Sequence, residues 1–282
     1  MSIEHRILSL GAGVQSTVLL LMSCRGELPR LDMAIFADAG WEPGPVYGHL
    51  EWLEEVSTIP IVRVTGGNIK EDALRSQVRG RAENGSRWAS MPLRTKDRET
   101  GQEGMIRRQC TNEYKIAPIE KYIKREVLGL RPRQRAPKEA VVEKWLGITV
   151  DEIGRAGSSR NKWEVLQFPF LGFPVEMLDR PWNRTDCISW LGKHYPDRNI
   201  PKSACVGCPF RSDAGWADIK SRPEEWAELV EFDRAIRNCG GMRGEVYLHR
   251  SCRPLETVPL TIEDTGQSVF DFNEECTGYC GT

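Results

Sequence analysis

Two groups of residues in this sequence have the types and the spacing that chemistry requires: a glycine-containing turn near the amino terminus and several closely spaced cysteines. The turn, Gly11 to Thr17, lies between the apolar segments Ile7–Leu10 and Val18–Met22, which predict a strand and a helix. Glycine lets the backbone approach a ligand closely, and the start of a helix favours an anion because of its N–H groups and dipole. The turn therefore predicts a phosphate site. Its candidate binding residues are Ser9, Gly11, Gly13, Gln15, Ser16 and Thr17.

The sequence of this turn resembles two known kinds of phosphate-binding turn and does not match a third. A Walker A loop ends in Gly-Lys-Ser/Thr, and the turn contains no lysine. A dinucleotide-binding turn has the form Gly-x-Gly-x-x-Gly with an acid about 20 residues later, and Gly11, Gly13 and Asp38 come close to it. The PP-loop of ATP pyrophosphatases has the form Ser-Gly-Gly-x-Asp-Ser, which Gly13 and Ser16 match while Gln15 replaces the acid. From the turn alone these two interpretations stay open, as does a plain strand-to-helix turn.

The nine cysteines are unevenly spaced along the chain. Cys205 and Cys208 form a Cys-x-x-Cys turn, and Cys276 and Cys280 form a second close pair near the end of the sequence. Close pairs in short glycine-bearing loops suit zinc or an iron–sulfur cluster, since each loop can direct two thiolates at one centre. Cys110, which follows two arginines, is a further ligand candidate or a reactive thiolate. The candidate metal ligands are Cys205, Cys208, Cys276 and Cys280.

The composition limits the class of protein. The chain has 282 residues, of which 40% are hydrophobic, and a formal net charge of -1. This length suits one large α/β domain with a small addition, and the charge excludes a generally basic nucleic-acid binder without excluding a local basic face. No apolar run is long enough to span a bilayer and no signal peptide precedes the first strand, so we expect a cytoplasmic protein without membrane association. In that compartment the cysteines are expected to be metal, redox or core residues rather than disulfides.

The order of the apolar segments predicts an α/β fold, a doubly wound parallel sheet with a cysteine-bearing helical and loop region towards the C-terminus. Met33–Asp38 is a continuous apolar run that ends in an acid, and Pro60–Val64 and Ala140–Ile148 are predicted to be further strands. Helical periodicity follows the first three strands, and this alternation is typical of such sheets. Ligands bind beyond the carboxyl ends of the strands, where the glycine turn and Asp38 both belong.

Five motifs occur in an order that is found in a known family. They are the turn from Ser9 to Thr17, the strand end Ala37-Asp38-Ala39-Gly40, Gln109-Cys110-Thr111 with Lys115, Cys205-x-x-Cys208-Pro209, and the tail Glu275-Cys276. Together they resemble the phosphoadenosine phosphosulfate (PAPS) reductase family, within the PP-loop superfamily of adenine nucleotide α-hydrolase-like proteins. The resemblance covers the chain from residue 6 to the end, and it favours the PP-loop interpretation over the dinucleotide one.

The resemblance implies a sheet of five parallel strands and an ATP pyrophosphatase activity. ATP or another adenylyl compound would lie at Gly11 to Thr17 with its adenosine toward Asp38, and Mg²⁺ would bridge the phosphates. Cleavage between the α- and β-phosphates adenylates an acceptor, which sulfur or nitrogen then attacks. The expected catalytic residues are Ser16, Lys115, Asp38 and Cys110. Arg155 is a further cation expected to bind the nucleotide.

Two departures from the family bear on the function. Gln15 replaces the PP-loop acid, and the tail carries Cys280 in addition to Cys276. A tail with two cysteines fits a [4Fe–4S] cluster, zinc, or a dithiol that accepts and passes sulfur. Similar proteins act in sulfur transfer to nucleic acids, including DNA phosphorothioation. The main hypothesis is therefore an enzyme that adenylates such an acceptor and receives sulfur from a cysteine desulfurase or a thioredoxin-like protein.

Two alternatives stay open at this point. One is a thioredoxin-linked PAPS reductase, in which Cys276 attacks the sulfur of the sulfonucleotide. The other is a metal-bound nucleotide-binding protein without catalysis. Either a monomer or a homodimer is compatible with the sequence.

We expect the chain to divide into two regions. Residues 1–200 are the predicted nucleotide-binding domain, and residues 201–282 are the cysteine-containing region with the Cys-x-x-Cys turn, helices and the tail. The polar and basic segment 80–106 lacks periodicity, which predicts a flexible flap or a solvated insertion. Basic residues of this flap and of the linker Arg131–Lys138 are candidates for holding the phosphates of an acceptor.

Overall fold

The computed structural model describes residues 3–78, 91–238 and 244–260, which form an α/β fold with a five-stranded parallel sheet. The strands are β1 (His5–Leu10), β2 (Met33–Asp38), β3 (Ile61–Thr65), β4 (Arg94–Asp97), β5 (Glu103–Met105), β6 (Val142–Trp145), β7 (Glu164–Gln167) and β8 (Gly244–Tyr247). The large sheet has the order β3-β2-β1-β6-β7, and its neighbouring strands are parallel. The predicted α/β class and the parallel sheet are confirmed, and the order is consistent with a doubly wound fold.

Helices follow most strands of the large sheet. The α-helices of the described residues are α1 (Val14–Cys24), α2 (Gly44–Val56), α3 (Ile69–Val78), α4 (Ala117–Tyr122), α5 (Arg184–His194), α6 (Asp213–Lys220) and α7 (Pro223–Ile236). Thr111–Ile116 and Ile123–Val127, on either side of α4, are π-helical. Short 3₁₀ segments occur at Val150–Arg155, Pro169–Leu171 and Leu255–Thr257.

Both faces of the large sheet are covered because successive side chains of a strand point to opposite sides. Leu8 of β1 packs in one buried cluster with residues of α1, α2 and α5. The neighbouring Ile7 packs in a second cluster on the other face, with Ile119 and Ile123 of the α4 region. The apolar strands thus hold α1 on one face and the α4 region on the other, and the starts of both lie at the carboxyl edge of the sheet.

A second sheet, antiparallel and of the order β5-β4-β8, differs from the sequence-based expectation. It includes part of the segment 80–106, and Met91 and Leu93 beside it are buried in the cluster that contains Trp216. Part of the predicted flap therefore forms the strands β4 and β5, while residues 79–90 lie outside the described part. Strands of three and four residues are too short to show alternation. The strand β8, which pairs with β4, lies on the other side of the predicted boundary at residue 200.

The basic linker Arg131–Lys138 lies at the edge of the sheet opposite to the glycine turn. It leads into Val141, whose carbonyl accepts hydrogen bonds from the backbone N–H groups of Glu4 and His5 at the start of β1. The strands are parallel, so this is the amino edge, whereas the turn follows the carboxyl end of β1. That the linker holds the phosphates of an acceptor stays a prediction, and the linker lies at the edge of the sheet opposite to the turn.

Within residues 3–78, 91–238 and 244–260, no helix combines the length and the apolar character needed to cross a bilayer.

Candidate functional site

The glycine turn connects β1 to α1 at the carboxyl edge of the large sheet. Helix α1 begins after Gly13, no side chain caps it, and its first turn contains no acidic residue. Ala12 has a positive φ of 57°, a conformation that costs an L-residue about 1–2 kcal/mol. The start of α1 therefore has the backbone N–H groups and the dipole of an anion site, at the end of a tightly bent turn.

Ser16 and Thr17, both predicted to bind the ligand, have different surroundings. The Ser16 hydroxyl accepts a hydrogen bond from Gly11 N at 3.2 Å and donates one to Gly13 O at 3.3 Å, so it lies inside the turn. The Thr17 hydroxyl instead bonds Nε2 of His49 on α2 at 2.9 Å. Burial, followed by the charge of Arg198, lowers the pKa of His49 to about 4. At neutral pH a neutral imidazole therefore holds Thr17 against α2.

Gly147, which follows β6, contacts the backbone of the turn and was not among the predicted site residues. A Cβ at this position would lie 2.9 Å from Ser16 N and 3.1 Å from the carbonyl carbon of Gln15. Real Cβ atoms do not approach backbone atoms so closely. A glycine inside the predicted strand Ala140–Ile148 was the signal that could have identified it, since such a glycine indicates a close approach of another backbone.

Gln15 is buried and lies between an acid and an arginine. Its Nε2 donates to Glu152 at 3.4 Å, and its Oε1 accepts from Nη1 of Arg184 at 3.4 Å. Glu152 also pairs with Arg155 at 2.5 Å. Asp151 accepts a hydrogen bond from the backbone N–H of Arg184 at 2.6 Å. Two arginines are thus placed near the start of α1, of which only Arg155 was predicted.

Asp38, at the end of β2, is held by two donors. Its Oδ1 accepts from Gly40 N at 2.7 Å and from the hydroxyl of Tyr47 at 2.9 Å. Burial chiefly, and the hydrogen bond to Asp38, raise the pKa of Tyr47, so the phenol stays a donor. Asp38 therefore has a fixed orientation at the carboxyl edge, the position that the sequence predicted for it.

Lys115, Glu42 and Cys205 form a polar cluster next to the end of β2, in which Lys115 and Glu42 are buried and Cys205 is partly exposed. Nζ of Lys115 lies 3.3 Å from Oε1 of Glu42, and their side chains are 7% and 0% exposed. The Cys205 thiol donates to the same oxygen at 3.5 Å. Glu42 thus links Lys115, which was predicted to be catalytic, to Cys205, which was predicted to be a metal ligand. The sequence pattern did not identify Glu42.

The Cys-x-x-Cys loop is fixed against the β2–α2 connection and the glycine turn. A Cβ on Gly207 would lie 2.3 Å from the Trp41 ring, and Val206 N donates to Trp41 O at 2.8 Å. The hydroxyl of Ser203 donates to the carbonyl of Gly11. A hydrogen bond therefore joins the start of the thiol loop to the predicted phosphate turn.

Three of the predicted cysteines line one cavity of about 400 Å³, its open mouth included. They are Cys110, from the segment before α4, and Cys205 and Cys208 from the Cys-x-x-Cys loop. The other lining residues are Ala39, Ile69, Met91, Pro92, Arg108, Thr111, Tyr114, Lys115 and Pro209. Ala39 follows Asp38, so the thiols face a space beside the end of β2.

Zinc or an iron–sulfur cluster requires several ligand side chains around one centre. In the described ranges, no group of three or more His, Cys, Asp or Glu residues is arranged to hold a metal ion. The three thiols share a cavity without forming such a group, and Cys276 and Cys280 lie outside the described residues. The metal site predicted from the four cysteines therefore stays a prediction.

Comparison with known proteins adds no relative: the chain matches no protein-family model, and curated proteins and solved structures give no significant match.

Proposed function

We propose that this chain is a PP-loop ATP pyrophosphatase that cleaves ATP·Mg between the α- and β-phosphates and adenylates an acceptor for sulfur transfer. The observation that carries the proposal is the hydrogen bond from Ser203 to Gly11, which joins the thiol loop to the glycine turn. A phosphate-binding turn and a loop of thiols are the two parts that adenylation followed by sulfur transfer needs, and here they are in contact.

The anion side of the proposal rests on the start of α1. Pyrophosphate leaves with several negative charges, and donors fixed in advance stabilise such charge without reorganising. The uncapped N–H groups of α1 are such donors. Arg184 and Arg155 lie near the turn through Gln15 and Glu152. We assign these two arginines to the phosphates, and Ser16 to the shape of the turn.

The sulfur side rests on the cavity that Cys110, Cys205 and Cys208 share. The cavity borders Ala39, next to the strand end where the adenosine is expected, so an adenylated acceptor would lie close to the thiols. Lys115 supplies a positive charge in the same wall. A nucleic acid as acceptor and a desulfurase or thioredoxin-like protein as sulfur donor belong to the proposal through the resemblance in the motifs.

The test is the product formed from ATP·Mg. The wild-type protein is expected to bind ATP and to release AMP and pyrophosphate, separated by ion-exchange chromatography. Ser16→Ala removes the hydroxyl that bonds Gly11 N and Gly13 O, and we expect it to lower kcat/KM at least about tenfold, or about 1.4 kcal/mol. Ser221→Ala is the matched control, since that hydroxyl is exposed and bonds only the nearby Asp218 carbonyl.

Other products lead to other conclusions. Release of ADP and phosphate would contradict cleavage between the α- and β-phosphates. ATP bound by the wild type and by Ser16→Ala with equal affinity would contradict the assignment of the turn. Sulfite formed from PAPS would indicate the reductase alternative, for which the described residues offer no specific support because Cys276 lies outside them.

A further inference from the structure

A concentration of positive charge lies at the amino edge of the large sheet. Residues 121–138 contain seven Lys or Arg and one acid, a net charge of +6 in a chain whose formal net charge is -1. The remainder of the chain is therefore acidic, and the charge of this segment differs in sign from it. The four basic residues of the linker itself are all exposed: Arg131, Arg133, Arg135 and Lys138.

The four linker cations are not neutralised by carboxylates of the protein. Elsewhere on the surface, Arg63 pairs with Glu54 and Arg234 pairs with Glu256. Within the described part of the chain, the side chains of the four linker cations form no ion pair, and residues 130–138 include no acid. Their positive charge is therefore available to an anion from solution.

The linker is held in shape by bonds that do not use its cations. Gln134 N donates to the carbonyl of Arg131 at 3.0 Å, and Gln134 Oε1 accepts from Arg131 N at 2.9 Å. Pro132 and Arg133 are the central residues of this turn, and Arg133 has a φ of 66°. A turn with proline second and a positive φ third normally has glycine or asparagine in the third position, since other L-residues are strained there. A function of the arginine side chain would explain why the strain is tolerated.

Several cations along one exposed loop suit a ligand with repeated negative charges. Arginine binds phosphate oxygens through two parallel hydrogen bonds, and each strand of a nucleic acid carries about one phosphate per 3.4 Å of helix axis. Segments that bind anionic membranes also insert apolar side chains. Among the described residues, none of the exposed large apolar side chains lies between positions 121 and 138. The chemistry therefore favours a phosphodiester backbone over a lipid surface.

The linker and the glycine turn are too far apart to contact the same phosphate group. The linker leads to Val141 at the start of β1, and the turn follows the end of β1. The six residues of this strand span about 20 Å at about 3.3 Å per residue. That length corresponds to about six nucleotide steps of a duplex. An anion bound at the linker therefore leaves the turn accessible to ATP.

We propose that the linker Arg131–Lys138 is a second anion site, which binds the phosphodiester backbone of a nucleic acid at the edge of the sheet opposite to the turn. It holds the polymer and takes no part in a chemical step. That this polymer is the acceptor for sulfur transfer rests on the proposed function. The binding itself does not, because it is measured without turnover.

The experiment measures the binding of fluorescent duplexes of about 20 base pairs, one of DNA and one of RNA, by fluorescence anisotropy between about 50 and 200 mM salt. The double variant Arg133→Gln, Arg135→Gln removes two charges. It is expected to weaken binding about tenfold or more near 0.1 M salt and to reduce the slope of log K against log salt by about 2. Saturating ATP·Mg is expected to leave the affinity unchanged. Binding of either duplex with this behaviour supports the proposal, and the tighter of the two identifies the type of nucleic acid.

Two control variants separate binding from net charge and from folding. Lys193→Gln, Arg253→Gln removes two charges from exposed residues outside the linker and is expected to keep the wild-type slope. Arg133→Gly places glycine at the positive φ, which suits it. This variant is expected to keep or raise the melting temperature while it weakens the binding of the duplex.

Several results would overturn the proposal. It is wrong if the wild type binds neither duplex at the lowest salt, if the control double variant weakens binding as much as the linker variant, or if ATP·Mg displaces the duplex. Phosphatidylserine vesicles that bind more tightly than either duplex, with the same dependence on Arg133 and Arg135, would assign the linker to a lipid surface. Loss of binding only in variants with a lowered melting temperature would make the linker a folding element.

Failure of this proposal and failure of the proposed function can be distinguished. ATP cleavage is assayed in the wild type and in the linker variants. AMP and pyrophosphate formed by a protein that binds no duplex would contradict only the linker site. A duplex bound through the linker by a protein that does not cleave ATP would contradict only the proposed function.

Discussion

Substitution of Gly147 by alanine is the sharpest test of the turn, because it adds one methyl group at a known place. The new Cβ would lie 2.9 Å from Ser16 N, whereas ordinary contacts begin at 3.4 Å. The first turn of α1 must therefore move by about 0.5 Å, or β6 must yield. Overpacking of this kind costs about 1–3 kcal/mol. For a chain of this size we expect the melting temperature to fall by about 2–10 °C.

The effect on ligand binding follows from the same displacement. If the N–H of Ser16 donates to a phosphate, its loss costs about 1.5–3 kcal/mol, so the Kd for ATP·Mg should rise by a factor of about ten or more. Isothermal titration calorimetry measures this value, and scanning fluorimetry follows the fold. Gly154→Ala is the matched control, since a Cβ there meets no atom within 4 Å. A folded Gly147→Ala variant that binds ATP·Mg as tightly as the wild type would refute the assignment of the turn.

Two further substitutions test the surroundings of the turn. The pKa of His49 is about 4 in the folded protein, against an ordinary value of 6.5. As the pH falls, the unfolded chain therefore takes up this proton before the folded protein does. The wild type is expected to lose about 3 kcal/mol of its free energy of unfolding between pH 6.5 and pH 4. His49→Gln should lack this part of the pH dependence in urea unfolding; an unchanged slope would contradict the buried neutral imidazole. Gly207→Ala would place a Cβ 2.3 Å from the Trp41 ring, and we expect the free energy of unfolding to fall by about 1–3 kcal/mol. Gly192→Ala, where a Cβ meets nothing within 4 Å, should leave the free energy of unfolding unchanged.

The elements that were predicted well have local signals. Buried parallel strands such as β2 are continuous apolar runs, and β1 is separated from α1 by glycines. Asn183 precedes α5, and its side chain forms a capping box with Asp186. Such features depend on neighbouring residues, so the sequence shows them directly.

The elements that were missed depend on distant partners. The strand β4 pairs with β8 across more than a hundred residues. The strand β7, with Glu164 and Gln167 in a short run, was not predicted. The same holds for the site. Cys110 shares a cavity with Cys205 and Cys208, and Glu42 meets Lys115, only because the fold brings the ends of β2 and the start of the α4 region together.

The charges at this edge explain why Gln15 replaces the acid of the PP-loop pattern. Glu152 is buried and pairs with Arg155, since a buried carboxylate without a counter-charge would be costly. Gln15 lies between this carboxylate and Arg184 and satisfies both, with its NH₂ donating to Glu152 and its carbonyl accepting from Arg184. An aspartate could accept from Arg184 but would face Glu152 with a second negative charge. The neutral amide of Gln15 therefore holds Arg184 beside the start of α1 without repulsion between like charges. An anion that enters the turn would meet the positive charge of Arg184, which Gln15 does not neutralise.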